Sequence, residues 1–260
     1  MLLVLSPAKT LDYASEQVTP ELTRPAFMKR SAELIDVLRK RSPADIASLM
    51  KISDPLADLN VQRYHDWSAR PAARVTRPAV LAFNGDVYDG LQASSLTDNQ
   101  LAYLQSHLRI LSGLYGVLRP FDLMQPYRLE MGIRLDNSGG RDLYAFWGEA
   151  VTDALAEVLA GQRDRTLVNL ASEEYFKVVR PARLQARIIS PVFEDWRGGQ
   201  YKIISFFAKR ARGAMVRYAA RHGLKKPEGL QQFDVDGYRF DASASTETVW
   251  RFRRRVAESG

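Results

Sequence analysis

The chain has 260 residues, 46% of them apolar, with no cysteine, three histidines and a formal net charge of +7. That is enough for a sizeable core. It excludes disulfides, thiolate metal centres and a catalytic thiol, and the sequence suggests neither a metal site nor a cofactor.

Residues 2–5 are a continuous apolar run and read as a buried strand, and residues 27–41 carry apolar positions at helical spacing. Pro43 suits the first turn of another helix, capped by Ser42. Residues 79–83 read as a short strand before a turn at Asn84-Gly85. Thr97 caps a helix to about His107, and residues 108–111 follow as a strand. Residues 129–135 read as a further strand before a loop at 137–140. An amphipathic helix over 143–159 stops at Gly161. Residues 166–170 form a strand, and Ser172 caps the next helix, with Glu173 and Glu174 in its first turn. Residues 187–193 and 201–206 read as a hairpin around Gly198-Gly199. A helix then runs to about His222, and short strands fall near 238–240 and 249–252. This mixture predicts an α/β (mixed α+β) fold: one compact domain over 1–260, a central mixed sheet and an inserted helical hairpin at about 42–70. The opening MLLVLSPAKT has no basic leader, and no apolar segment reaches membrane-spanning length, so a cytoplasmic protein without a membrane partner is expected.

Four polar clusters follow predicted strands: Ser6–Lys9, Asn84-Gly85-Asp86, Ser112–Arg119 and Ser172–Lys177. If the strands are parallel neighbours, their following loops meet at one edge. Lys9, Arg119 and Lys177 would then supply positive charge. Asp86 and Glu173 would supply acid–base groups, with Lys9 a further catalytic candidate, and Asn84 and Tyr115 would supply hydrogen bonds. The 112–132 run packs three glycines, two prolines, two tyrosines and two arginines into 21 residues, a composition suited to a rigid ligand surface or a structural closure. Ser6-x-x-Lys9 also matches the Ser-x-x-Lys pair of acyl-transfer enzymes, but no companion motif assembles.

Positive charge is concentrated late: 18 Lys/Arg face 10 Asp/Glu from residue 171 onward, against 19 and 20 before it. Such an excess is the footprint of a polyanion-binding face or of a basic solvated surface. On a helix from 205 to 222, Arg210, Arg217 and Arg221 fall within roughly 40° of one another, opposite a stripe of Ala208, Ala211, Met215 and Ala219. Arg251, Arg253, Arg254 and Arg255 form a second basic cluster with no acid nearby in sequence. In the 42–70 segment, Ile46, Leu49 and Ile52 are spaced as in a helix-hairpin-helix. Lys51 and Ser53 stand where that motif has glycines, and Lys51 is placed to meet phosphate.

The segments SPAKT (6–10), FNGDVY (83–88), LSGLYGVLRPFDLMQPYRLEMG (111–132), NLASEEYFK (169–177) and ISFFAKRARGAMVRY (204–218) run the length of the chain. In that order they resemble the YaaA family of bacterial peroxide-stress proteins. The resemblance implies a cytoplasmic DNA-binding protein with a compact α/β fold, a positively charged cleft and a helix-hairpin-helix element. It also implies an association with lowering free intracellular iron during hydrogen peroxide stress, which limits oxidative DNA damage. By resemblance the hairpin is 49–53, and the cleft includes Lys9, Arg119, Lys177, Lys209 and Arg210. Arg217 joins the DNA-binding candidates from its helix face. The expected partner is double-stranded or branched DNA, read with little sequence preference. No reaction comes with the family, and an enzyme acting on a nucleic acid or nucleotide at the strand-end crevice stays open beside the DNA-binding role.

Overall fold

The computed structural model describes residues 1–14 and 22–255. Its centre is an eight-stranded mixed sheet. Leu2–Leu5 lies in the middle, parallel on one side to Leu108–Ser112 and on the other to Thr166–Leu170. Arg187–Arg197 continues the parallel set from Thr166–Leu170, and Val249–Arg254 pairs parallel beyond it. Gly116–Leu118, Gln200–Lys202 and Arg239–Phe240 add antiparallel partners. The central strand is buried at all four residues. A strand flanked on both sides and covered on both faces has no position for a polar side chain, which is why it reads as an unbroken apolar run.

Several expected elements form as read. Ser42 and Asp45 close a capping box around the helix Pro43–Met50, and the Thr97 N–H donates to Gln100 Oε1 at 3.1 Å at the start of Asp98–His107. Gly198 and Gly199 take positive φ angles of 58° and 80° between the paired strands, as a two-residue hairpin turn requires. The hairpin's second strand is shorter than expected, because the helix Ser205–Arg221 begins within the apolar run.

Other elements differ. Ala79–Ala82 is a single helical turn rather than a strand, with all four residues buried. A short apolar run states burial but not backbone state. Residues 129–135 form no strand: Leu129, Met131 and Leu135 are buried, but the segment runs against the backbone of Gly113 rather than along a sheet edge. The expected helix over 143–159 divides into Leu143–Trp147 and Ala150–Ala160 at Gly148, whose φ of 52° ends the first piece. The Ser172 hydroxyl does not cap the helix it precedes. It receives the Ser6 hydroxyl at 3.3 Å, while the Ser172 N–H donates to Ser6 Oγ at 2.8 Å.

The 42–70 segment folds as two helices, Pro43–Met50 and Asp54–Asp66, joined by a three-residue turn. Ile46, Met50, Ala57 and Tyr64 turn inward. The Trp67 indole N–H donates to Tyr115 Oη at 3.0 Å, and the Ser68 N–H to Gln125 Oε1 at 2.9 Å. The hairpin is therefore tied to the 112–132 run.

Among the described residues no helix is long and apolar enough to cross a membrane, and no group of His, Asp and Glu is placed to hold a metal ion.

Candidate functional site

The parallel strands ending at Leu5, Ser112 and Leu170 discharge their loops on one edge of the sheet. Ser6–Thr10 and residues 171–175 meet there. Asn84-Gly85-Asp86 is brought beside them by an antiparallel pairing of Thr10 with Asn84 and by the Tyr88 hydroxyl, which donates to Ser6 O at 3.0 Å. These walls enclose a pocket of about 440 Å³.

The remaining wall is the helix Ser205–Arg221, which brings Lys209 and Arg212. Two glycines set its approach to the helix Asp86–Leu91. A Cβ on Gly90 would lie 2.0 Å from Arg210 O, and one on Gly213 would lie 1.7 Å from Val87 O. Only backbone fits between the helices, and this close crossing places Lys209 Nζ 3.9 Å from Asp86 Oδ2.

Charged side chains of both signs line the pocket. Lys9 Nζ lies 3.3 Å from Glu130 Oε1, and Arg128 Nη2 donates to that same oxygen at 3.1 Å. Glu130 Oε2 and Arg128 Nε are buried without hydrogen-bond partners among the described residues. The Gly132 N–H donates to Glu174 Oε1 at 2.9 Å. Arg212 is half-buried and carries no hydrogen bond or ion pair among the described residues; burial alone pulls its pKa below the usual arginine value. Burial holds the Tyr175 phenol well above its ordinary range, so it is a neutral wall of the pocket.

Of the residues expected in the crevice, Lys9, Asn84 and Asp86 line this pocket, joined by Lys209, which the resemblance placed in a charged cleft. Tyr115, Arg119, Glu173 and Lys177 do not, so the single-pocket expectation holds for only part of the set. Tyr115 is fully buried, its hydroxyl accepting from Trp67 and from the Gln125 N–H, with its pKa pushed up to about 12 by burial. It belongs to the core because Gly116–Leu118 folds back antiparallel on its own strand, turning the loop inward. Arg119 is engaged by Asp122 Oδ1 at 3.0 Å and by Arg24 O at 2.9 Å. Glu173 is exposed while its neighbour Glu174 faces the pocket. Lys177 lies over the Tyr144 ring at 4.9 Å. Ser6 and Lys9 do not pair: Ser6 is taken by Ser172 and Lys9 by Glu130.

Outside the pocket, Lys51 is exposed at the helical turn with φ 52° and ψ 55°, the left-handed region that glycine usually fills, and Ser53 precedes the next helix without capping it. Arg210 pairs with Asp236 at 3.7 Å and Arg217 donates to Gln92 Oε1. The C-terminal arginines, expected to lack acids, have them across the sheet. Arg253 Nε meets Glu194 Oε2 at 2.8 Å, Arg254 Nε meets Asp195 Oδ1 at 2.5 Å, and Arg251 also binds Glu194. Arg255 lies over the Trp196 ring at 3.9 Å.

Sequence reasoning missed Arg128, Glu130, Glu174 and Arg212. Arg212 did leave a signal. At about 100° per residue it falls within roughly 20° of Ala219 and 40° of Ala208, at the edge of the apolar stripe.

A family model described as "Peroxide stress protein YaaA" matches residues 1–244. This chain belongs to the peroxide stress protein YaaA family. It is 64% identical to a UPF0246 protein of Janthinobacterium sp. (strain Marseille) over 98% of this chain and 99% of that one. It is 62% identical to a UPF0246 protein of Ralstonia pickettii (strain 12J) over 98% of this chain and all of that one. UPF0246 protein Reut_A1014 of Cupriavidus pinatubonensis is 61% identical over 99% of this chain.

Proposed function

We propose that this YaaA-family chain is a DNA-binding protein of the hydrogen peroxide stress response that grips double-stranded or branched DNA with little sequence preference. The family resemblance extends the reading to a lower level of free intracellular iron and less oxidative DNA damage. The observation that carries the DNA-binding reading is the 51–53 turn. Lys51 projects from a rigid junction between two helices, and Ser53 leaves the first turn of the 13-residue helix Asp54–Asp66 without a side-chain cap. An uncapped helix start beside an exposed lysine suits a phosphate oxygen. Lys40 and Arg41 are exposed just before the first of the two helices. Such contacts position a backbone without reading bases. Lys9, Lys177, Lys209 and Arg210, all exposed, are further candidates for phosphate contact. Arg119 and Arg217, held by internal partners, contribute less.

The test is a duplex-binding titration at several salt concentrations. Affinity should fall steeply with salt, and Lys51→Glu should weaken binding and lower the salt slope by about one or more without changing the melting temperature. A flat salt response, or unchanged affinity in the folded variant, overturns the reading.

The pocket favours a second reading, an enzyme acting on a nucleic acid or nucleotide. Asp86 and Glu130 face the pocket beside Lys9 and Lys209, as acid–base chemistry requires. Exposed Glu173 is less suited to that role. An Asp86→Asn variant that keeps DNA binding but loses peroxide protection would favour chemistry.

A further inference from the structure

We propose that the strand-end pocket binds a phosphate monoester, with Arg212 as its anchoring cation. This deepens the second reading and does not depend on the hairpin's binding to duplex DNA.

A guanidinium taken partly out of water destabilises the fold unless a counter-charge meets it. The other charges on the pocket wall have partners. Lys9 and Arg128 share Glu130, Lys209 faces Asp86, and Glu174 receives the Gly132 N–H. Arg212 has no partner among the described residues, although it is half-buried at the edge of the inward stripe of its helix and lines the pocket. The balance of the site is completed by an anion from outside the chain. A guanidinium fork meets two phosphate oxygens bidentately. Lys209 is held only loosely at 3.9 Å and can turn toward a third oxygen. Lys209 is three residues from Arg212 on the same helix, and a fork with an ammonium group one turn away suits a dianion better than a single carboxylate. The volume, about 440 Å³, is that of a small-ligand site. It admits one nucleotide and not a duplex. Asn84 and Thr10 supply hydrogen-bonding side chains at the wall. The monoester comes from a free nucleotide or from a 5′-phosphorylated DNA end.

The full chain is titrated calorimetrically with inorganic phosphate, with a deoxynucleoside 5′-monophosphate, and with short duplexes bearing either 5′-phosphate or 5′-hydroxyl ends. Phosphate and the mononucleotide should bind competitively and raise the melting temperature. Arg212→Gln should weaken both by about tenfold or more, while its melting temperature without ligand stays equal or rises. Should that variant not fold, Lys209→Gln at its exposed position should weaken both by several-fold. Tighter binding of the phosphorylated duplex than of the hydroxyl duplex, lost in the variant, identifies a strand end as the source. Equal binding of the two duplexes together with mononucleotide binding identifies the free nucleotide. The hydroxyl duplex alone reports the hairpin surface, so failure there leaves the pocket standing. No binding of phosphate or mononucleotide by the unmodified chain, or undiminished binding in the variants, overturns the proposal.

Discussion

The strand Val249–Arg254 and the helix Ser205–Arg221 both carry several arginines, and the fold treats them in opposite ways. The strand lies parallel to Arg187–Arg197 in a register that sets Arg253 beside Glu194 and Arg254 beside Asp195. Its cations are neutralised by the sheet itself, and Arg254 and Asp195 are both nearly enclosed, at 10% and 5% side-chain exposure. The helix instead presents Arg212 to a pocket whose acids are engaged by other groups, with none paired to it among the described residues. Net charge therefore says little about where a polyanion binds. What matters is which cations the tertiary structure leaves without partners.

The largest expected effect breaks the neutralised side of that comparison. Asp195→Ala strands the enclosed Arg254 guanidinium and removes the acceptor of the Tyr238 hydroxyl at 2.9 Å. Removing one partner of a buried pair costs about 3–5 kcal/mol. A drop of that size in urea unfolding is expected, in contrast to the unchanged or higher stability of Arg212→Gln. A loss below about 1 kcal/mol would place this pair with exposed ones.

A second substitution tests how the unneutralised side is held. Gly213→Ala puts a Cβ where Val87 O stands, so the helices must separate. A cost of about 1–3 kcal/mol is expected, as for other overpacked contacts. Phosphate affinity should fall with it, since Lys209 and Arg212 move away from the 84–86 wall. Stability lost with phosphate affinity intact would show that the glycine crossing supports the fold but does not shape the pocket.

The smallest effect is on pH dependence. The Asp241 carboxylate accepts from the Ser243 hydroxyl, from Arg253 and from the Ala244 N–H, and these hold its pKa below the ordinary aspartate value, the Ser243 bond foremost. A folded-state pKa below the unfolded one adds stability that is present above the unfolded value and fades as pH falls through the folded one. Asp241→Asn should lower the melting temperature slightly at neutral pH, where the carboxylate's contribution is present, and flatten the fall of the profile below about pH 4, where that contribution is already fading. An unchanged acid limb would show that solvent screens this exposed part of the network.

Much of the fold was legible in the sequence because it rests on local rules. The buried run 2–5, the Ser42 and Thr97 helix starts, and the Gly198-Gly199 turn state their own geometry through burial, capping chemistry and φ preference. Lys9 was legible as a pocket-lining residue because it follows the strand 2–5, and parallel strands deliver such loops to one edge; Asn84 and Asp86 reach the same pocket by an antiparallel pairing with Thr10 that the rule did not supply. The same rule failed at Tyr115, where the chain doubles back antiparallel and turns the loop inward. It failed at Ala79–Ala82, where burial hides whether a short apolar run is a strand or a helical turn. Partnering was not legible at all. Glu194 reaches Arg253 across 59 residues through sheet register, and Gly90 and Gly213 bring Asp86 to Lys209 through a crossing of two distant helices. A residue's own preferences act over a few neighbours. Whether its charge is met depends on what folding carries to it from elsewhere, so the sequence alone determined the elements and most of the pocket's loops, and the tertiary structure decided which cations remained for a ligand.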